Sequence, residues 1–113
     1  MATFELKNNF KVPLEFMDAS DASYSLPPPW LIPAGGAVKW SAGVGGFVTY
    51  RTAPQRTARD ALQFTVQWSI SADDGLAVKT RGEGNYTSTM DYHSKEGWAK
   101  IEVGRLRRGP FGW

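Results

Sequence analysis

The sequence predicts an all-β fold, an antiparallel β-sandwich of about eight short strands with no substantial helix. Three observations predict it. Apolar residues recur at every second position, most clearly over residues 61–71, where Leu62, Phe64, Val66, Trp68 and Ile70 alternate with Gln63, Thr65, Gln67 and Ser69. A strand sends successive side chains to opposite faces, and no helical stripe gathers those five residues. Turn-forming residues punctuate the chain at strand-like spacing, and no stretch carries a helical period.

The elements follow in order. Phe4 and Leu6 alternate over residues 3–7, and Asn8-Asn9 reads as a turn. Phe10, Val12, Leu14 and Phe16 alternate again. Pro13 cannot donate to a ladder, so this second strand is an edge or carries a bulge. The Asn8-Asn9 link makes either a hairpin or a crossing between sheets. Residues 18–25 read as a polar loop, and Pro27-Pro28-Pro29 imposes an extended conformation. Trp30-Leu31-Ile32 follows, then a turn at residues 33–36. Short strands are expected at 37–41 and 47–51, separated by a glycine-rich step, with a polar connection over 52–60 leading into the strand at 61–71. Asp73-Asp74-Gly75 is a hairpin turn, and residues 76–80 pair back. A break at 82–84, a polar strand at 85–92 and a turn at 93–97 precede the last strand, 98–103. That strand has Ala99, Ile101 and Val103 inward and Trp98, Lys100 and Glu102 outward.

At 113 residues the chain is expected to form one domain over 1–104, followed by a basic and aromatic tail over 105–113. Hydrophobic residues make up 42%, as in a folded protein, while 13% aromatics with five Trp exceed what a core of this size needs. Some aromatics are therefore expected at the surface, which favours glycan, lipid-interface or protein contacts. The net charge of +2 is too small to argue for nucleic acid. Arg105, Arg107 and Arg108 in the tail exceed it, so the rest of the chain is slightly acidic. With no Cys there is no disulfide framework, zinc-thiolate site or cysteine nucleophile. The first ten residues do not read as a signal peptide, and no apolar run approaches the roughly 20 residues of a membrane span. The expectation is a cytoplasmic protein, or one released by a non-classical route, whose membrane role is peripheral or follows oligomerisation.

Catalytic and metal chemistry find little purchase. The one His, His93, lies in a polar turn beside Ser94 and Glu96. A triad needs partners placed by the fold, so a surface histidine is the better reading and no enzyme is expected. Asp73-Asp74-Gly75 lacks the ligand count of a calcium loop and reads as a turn. Gly43-Val44-Gly45-Gly46 lacks the Gly-Lys-Ser/Thr ending of a phosphate cradle. No cofactor is expected. The aromatics are more informative. Trp30 follows three prolines on a stiff segment, while Tyr86, Tyr92, His93 and Trp98 cluster along the chain. Their apolar bodies and polar handles suit glycan faces, choline head groups and the membrane interface, or they serve partly as core. Trp113 and the tail arginines either contact anionic lipid or form a solvated terminus or strap.

Several short motifs resemble the actinoporin-like cytolysins, with aegerolysins and fungal fruit-body lectins as related-looking alternatives. They are Trp30-Leu31-Ile32-Pro33-Ala34-Gly35-Gly36, Val38-Lys39-Trp40, Gly45-Gly46-Phe47-Val48-Thr49-Tyr50, Phe64-Thr65-Val66-Gln67-Trp68-Ser69, and the closing run from Ser94 to Val103. The resemblance implies a β-sandwich that recognises lipid head groups, chiefly phosphocholine, or glycans in the lectin branch. By position it makes Val48, Ser69, Tyr86 and Tyr92 candidates for a head-group pocket, with choline against tyrosine rings and hydroxyls bonding phosphate. Two departures stand out. The chain begins almost directly in a strand, so the expectation is no pore-lining amphipathic helix ahead of it. After Ser69 the family tends to place a Pro and aromatics, where this chain has Ile70-Ser71-Ala72-Asp73-Asp74.

The expected function is therefore non-catalytic membrane-lipid binding of a cytolysin-like kind, through surface aromatics at Trp30, Val48, Ser69, Tyr86, Tyr92 and Trp98. The alternatives are a lectin stacking sugars on Trp30, Tyr86 and Tyr92, and a structural or assembly protein. Partners are a lipid head group or glycan, with a homo-oligomer or protein partner and no nucleic acid.

Overall fold

Alternation sets the first strand. Within Ala2–Asn8 (β1), Ala2, Phe4, Leu6 and Asn8 are buried while Thr3 and Lys7 face solvent. The computed structural model describes residues 1–52, 62–83 and 86–105. Nine further strands follow: β2 (Leu14–Ala19), β3 (Tyr24–Leu26), β4 (Leu31–Ile32), β5 (Ala37–Ala42), β6 (Gly46–Thr52), β7 (Gln63–Ser71), β8 (Gly75–Glu83), β9 (Tyr86–His93) and β10 (Trp98–Arg105). They form two five-stranded sheets, ordered β3-β5-β1-β10-β9 and β4-β2-β6-β7-β8. No helix occurs among the described residues, so the predicted all-β sandwich is what forms.

The strand count is ten rather than about eight because two short edge strands escape the sequence pattern. β3 lies partly in the stretch expected to be a polar loop, and β4 spans only Leu31–Ile32. One pairing departs from the antiparallel expectation: β1 and β10 run parallel, from Thr3 opposite Trp98 to Asn8 opposite Val103. The first six strands alternate strictly between the sheets, so Asn8-Asn9 is a crossing and not a hairpin. The alternation expected from Phe10 onward becomes regular pairing only at Leu14. The reason is local, since the Asn8 carboxamide oxygen accepts the Phe10 N–H at 2.9 Å and turns the chain.

The core is aromatic. Phe4 of the first sheet stacks on Trp40 at 5.2 Å and meets Trp68 of the second sheet at 4.6 Å between ring centres. Tyr50 and Phe64 continue it at 6.3 Å. β7 delivers Phe64, Val66 and Trp68 inward as the sequence predicts, and β10 delivers Ala99, Ile101 and Val103. The expected connection over 53–60, and the tail beyond Arg105, lie outside the described residues.

Candidate functional site

Proline chemistry builds the most distinctive surface. Pro27, Pro28 and Pro29 carry no N–H, so they join no ladder, and they bridge β3 at the edge of one sheet to β4 at the edge of the other. The bridge is pinned at its end. The Pro29 carbonyl accepts the Tyr50 hydroxyl at 2.7 Å, and the Trp30 carbonyl accepts the Phe16 N–H at 2.9 Å. Burial, with a smaller contribution from Tyr24, pushes the Tyr50 phenol well above its ordinary range, so it stays a donor.

Trp30 stands on this support. Its ring meets the edge of Phe16 at 5.4 Å, and Phe16 in turn meets Tyr50 at 6.0 Å. Even so, Trp30 is 79% exposed. Leu31 and Met17 are exposed on β4 and on its partner β2, and Leu26 is exposed on β3, beside Ser41 on the outer face of the first sheet. Trp30, Leu31 and Met17 thus leave large apolar side chains exposed along the β2–β4 edge of the second sheet.

The remaining predicted site residues scatter. Val48 points into the core with no exposure, opposite Val66, so no ligand reaches it. This corrects its place in a surface pocket: β6 alternates with Val48 and Tyr50 inward, leaving Phe47 and Arg51 outward. Ser69 is exposed on the outer face of the second sheet, beside a shallow groove of about 290 Å³ shared with Gln67, Ala77 and Lys79. Tyr92 belongs to the other sheet and is half-exposed at its β9 edge. Val48, Ser69 and Tyr92 are therefore not brought together. The Tyr86 side chain lies outside the described residues, as do Arg107, Arg108 and Trp113.

Trp98 faces outward from β10, where its neighbours already occupy it. His93 stacks on it at 4.2 Å with 24° between the planes, the Trp98 indole Nε1–H donates to Glu96 at 2.8 Å, and the Lys100 ammonium lies 5.8 Å from the ring centre. A ring face covered by imidazole is closed to a sugar. Among the described residues no cluster of three His, Asp or Glu side chains forms a metal site, and no helix is long and apolar enough to cross a membrane.

The class these features define is a β-sandwich of two five-stranded sheets with a proline-braced aromatic flank. No family model matches the chain, and no curated protein matches it in sequence.

Proposed function

We propose that the protein is a non-catalytic, peripheral membrane-binding sandwich that seats its β2–β4 edge in the interfacial layer of a lipid bilayer. Trp30 carries this reading: an indole 79% exposed, held outward on a proline-stiffened segment whose Pro29 and Trp30 carbonyls both accept hydrogen bonds. The bilayer interface suits such a ring, whose body is apolar and whose N–H still meets head groups and water. Because the segment is already ordered, little conformational entropy is lost on insertion. β2, β3 and β4 carry no Lys or Arg, and Glu15 is taken by Arg51 at 3.4 Å. Asp18 is left as the strands' free charge, so a zwitterionic surface is favoured over an anionic one. Lysis would need several copies or a partner, since a single flank covers lipid without crossing it.

Flotation with phosphatidylcholine vesicles, with and without sphingomyelin or phosphatidylserine, tests the reading. The protein is expected to float with zwitterionic vesicles, with no gain from phosphatidylserine. Trp30→Ala combined with Leu31→Ala should weaken binding about tenfold or more, given the apolar area removed. Both side chains are exposed, so the fold should survive. Absence of binding to every mixture, or undiminished binding by the double variant, would remove the proposal.

A further inference from the structure

The outer face of the first sheet is a ladder of alternating charge. Its register aligns Lys39 of β5, Glu5 of β1, Lys100 of β10 and Asp91 of β9 in one row across four neighbouring strands. The row beside it holds Ala37, Lys7, Glu102 and Thr89, with Lys7 and Glu102 3.9 Å apart. On the other side lie Ser41, Thr3, Trp98 and His93. Lys39, Lys100 and Asp91 are exposed and Glu5 is half-buried. A shallow depression of about 400 Å³ runs between the charges of β1, β10 and β9.

Within one molecule this alternation pairs neighbours across strands, and exposed pairs of that kind contribute little. The pattern has a second property: it is complementary to its own reversal. Consider a two-fold axis lying in the face, parallel to the strands, between β1 and β10. It reverses the order of strands and keeps each row at its own level. Lys39 then meets the partner's Asp91, Glu5 meets the partner's Lys100, and Lys7 meets the partner's Glu102. In the third row Thr3 meets the partner's Trp98 and Ser41 meets the partner's His93. No like charges oppose each other in any row. A row of one sign, or an odd number of alternating charges, would lack this property.

We propose that the protein self-associates face to face through the outer surface of its first sheet, about a two-fold axis parallel to the strands. The interface is isologous, as a closed dimer requires. It uses none of the side chains of the β2–β4 edge and stands independently of the lipid-binding reading. Four strands and three rows cover roughly 400 Å² per partner at ordinary strand spacings. That is about half of what a stable complex buries, so the dimer is transient and held in register by charge. Twisted sheets pack with about 30° between strand directions, which inclines the axis about 15° from the strands, so the pairs nearest the axis, Glu5 with the partner's Lys100 and Lys7 with the partner's Glu102, meet best. Salt screens such pairs, so association is strongest at low ionic strength.

Analytical ultracentrifugation tests this. The wild-type protein should sediment between monomer and dimer at low salt, rising with concentration, and as monomer at high salt. Glu5→Lys and Lys100→Glu should each weaken self-association at least about tenfold, because each sets two like-charged pairs across the axis. An equimolar mixture of the two variants should recover a one-to-one dimer, since all four positions near the axis are again opposite in sign. Mixing cannot repair a cross-strand defect inside each chain, so recovery reports the interface alone. Should thermal melting show either variant unfolded, Lys39→Asp and Asp91→Lys give the same cross-test, on strands that are not neighbours in the sheet. A wild-type protein that stays monomeric at low salt, a dimer indifferent to the reversals, or a mixture no better associated than its components overturns the proposal.

Discussion

Asn8 stands fully buried where β1 leaves one sheet for the other. Its carboxamide nitrogen donates to the carbonyls of Val12, Ile32 and Pro33 at 2.9, 3.1 and 3.2 Å, and its oxygen accepts from Phe10. One side chain thus satisfies backbone groups from the crossing after β1 and from the end of β4. Asn8→Ala takes the acceptor from the Phe10 N–H and a donor from the Val12 and Ile32 carbonyls, while the Pro33 carbonyl keeps the Gly36 N–H at 2.9 Å. Each buried, unsatisfied polar group costs about 1–3 kcal/mol, so a total loss of about 3 kcal/mol or more is expected. A urea unfolding midpoint that falls at unchanged slope measures it. The Trp40 indole N–H, by contrast, is buried with no partner among the described residues, a cost offset by ring contacts with Phe4 and Trp68. Neither role is legible in the sequence. Asn8-Asn9 reads equally well as an exposed turn, because the carbonyls that bury Asn8 come from residues far along the chain.

Among the elements, the β7–β8 hairpin was the most legible and remains the most constrained. Asp73-Asp74-Gly75 reads as a turn, and the Ser71 hydroxyl accepts both aspartate N–H groups, at 3.2 and 3.1 Å. Gly75 has a φ of +74°, and a Cβ there would collide with the Ser94 carbonyl. That carbonyl accepts the Leu76 N–H at 2.9 Å and ties the two sheets together at this end. Gly75→Ala is expected to cost about 2 kcal/mol or more, combining left-handed strain with the displaced backbone. Gly35 has a similar φ of +75° and open space around it, so Gly35→Ala should cost only about 1 kcal/mol. Paired thermal melts separate the two terms. The hairpins β6-β7-β8 and β9-β10 were readable because their partners are sequence neighbours with clear alternation. β3 and β4 were not, since two or three residues hold no period and their pairing comes from strands elsewhere. Val48 enters the candidate pocket only through the family resemblance, which carries no register, and the pairing of β6 with β7 turns it inward.

At the scale of the whole molecule, the buried phenol of Tyr50 limits stability at high pH, and the partly buried Tyr24 acts in the same direction. Burial pushes both Tyr24 and Tyr50 above the ordinary 10.0. A phenol that holds its proton more tightly when folded contributes stability that is complete below the unfolded value. That stability is lost as pH rises from there toward the folded value. Tyr50 should steepen the loss by up to about 1.4 kcal/mol per pH unit, while Tyr24, more solvated, adds little. Unfolding free energies measured on both sides of pH 10.0 should show a downturn that is shallower in Tyr50→Phe. The candidate flank belongs to this scale too. Trp30 and Leu31 behind three prolines are visible in the sequence as a stiff apolar pair, but Met17 comes near them only because β2 pairs with β4.

The parallel seam between β1 and β10 governs how the molecule comes together. β5, nearer along the chain, pairs one side of β1, and the other side stays open until β10 is in place. Two backbone bonds close the seam beyond its ladder, Thr3 to Gly97 at one end and Asn9 to Val103 at the other, both spanning nearly the whole sequence. The entropy of closing so large a loop falls on that final docking, and until then β1 presents a bare, templating edge in the middle of the future sheet. The same geometry leaves the start of β1 and the finish of β10 a full strand apart. A rearranged chain that joined them would need a connector crossing about 25 Å, some eight extended residues, where an antiparallel pair would need only a tight turn.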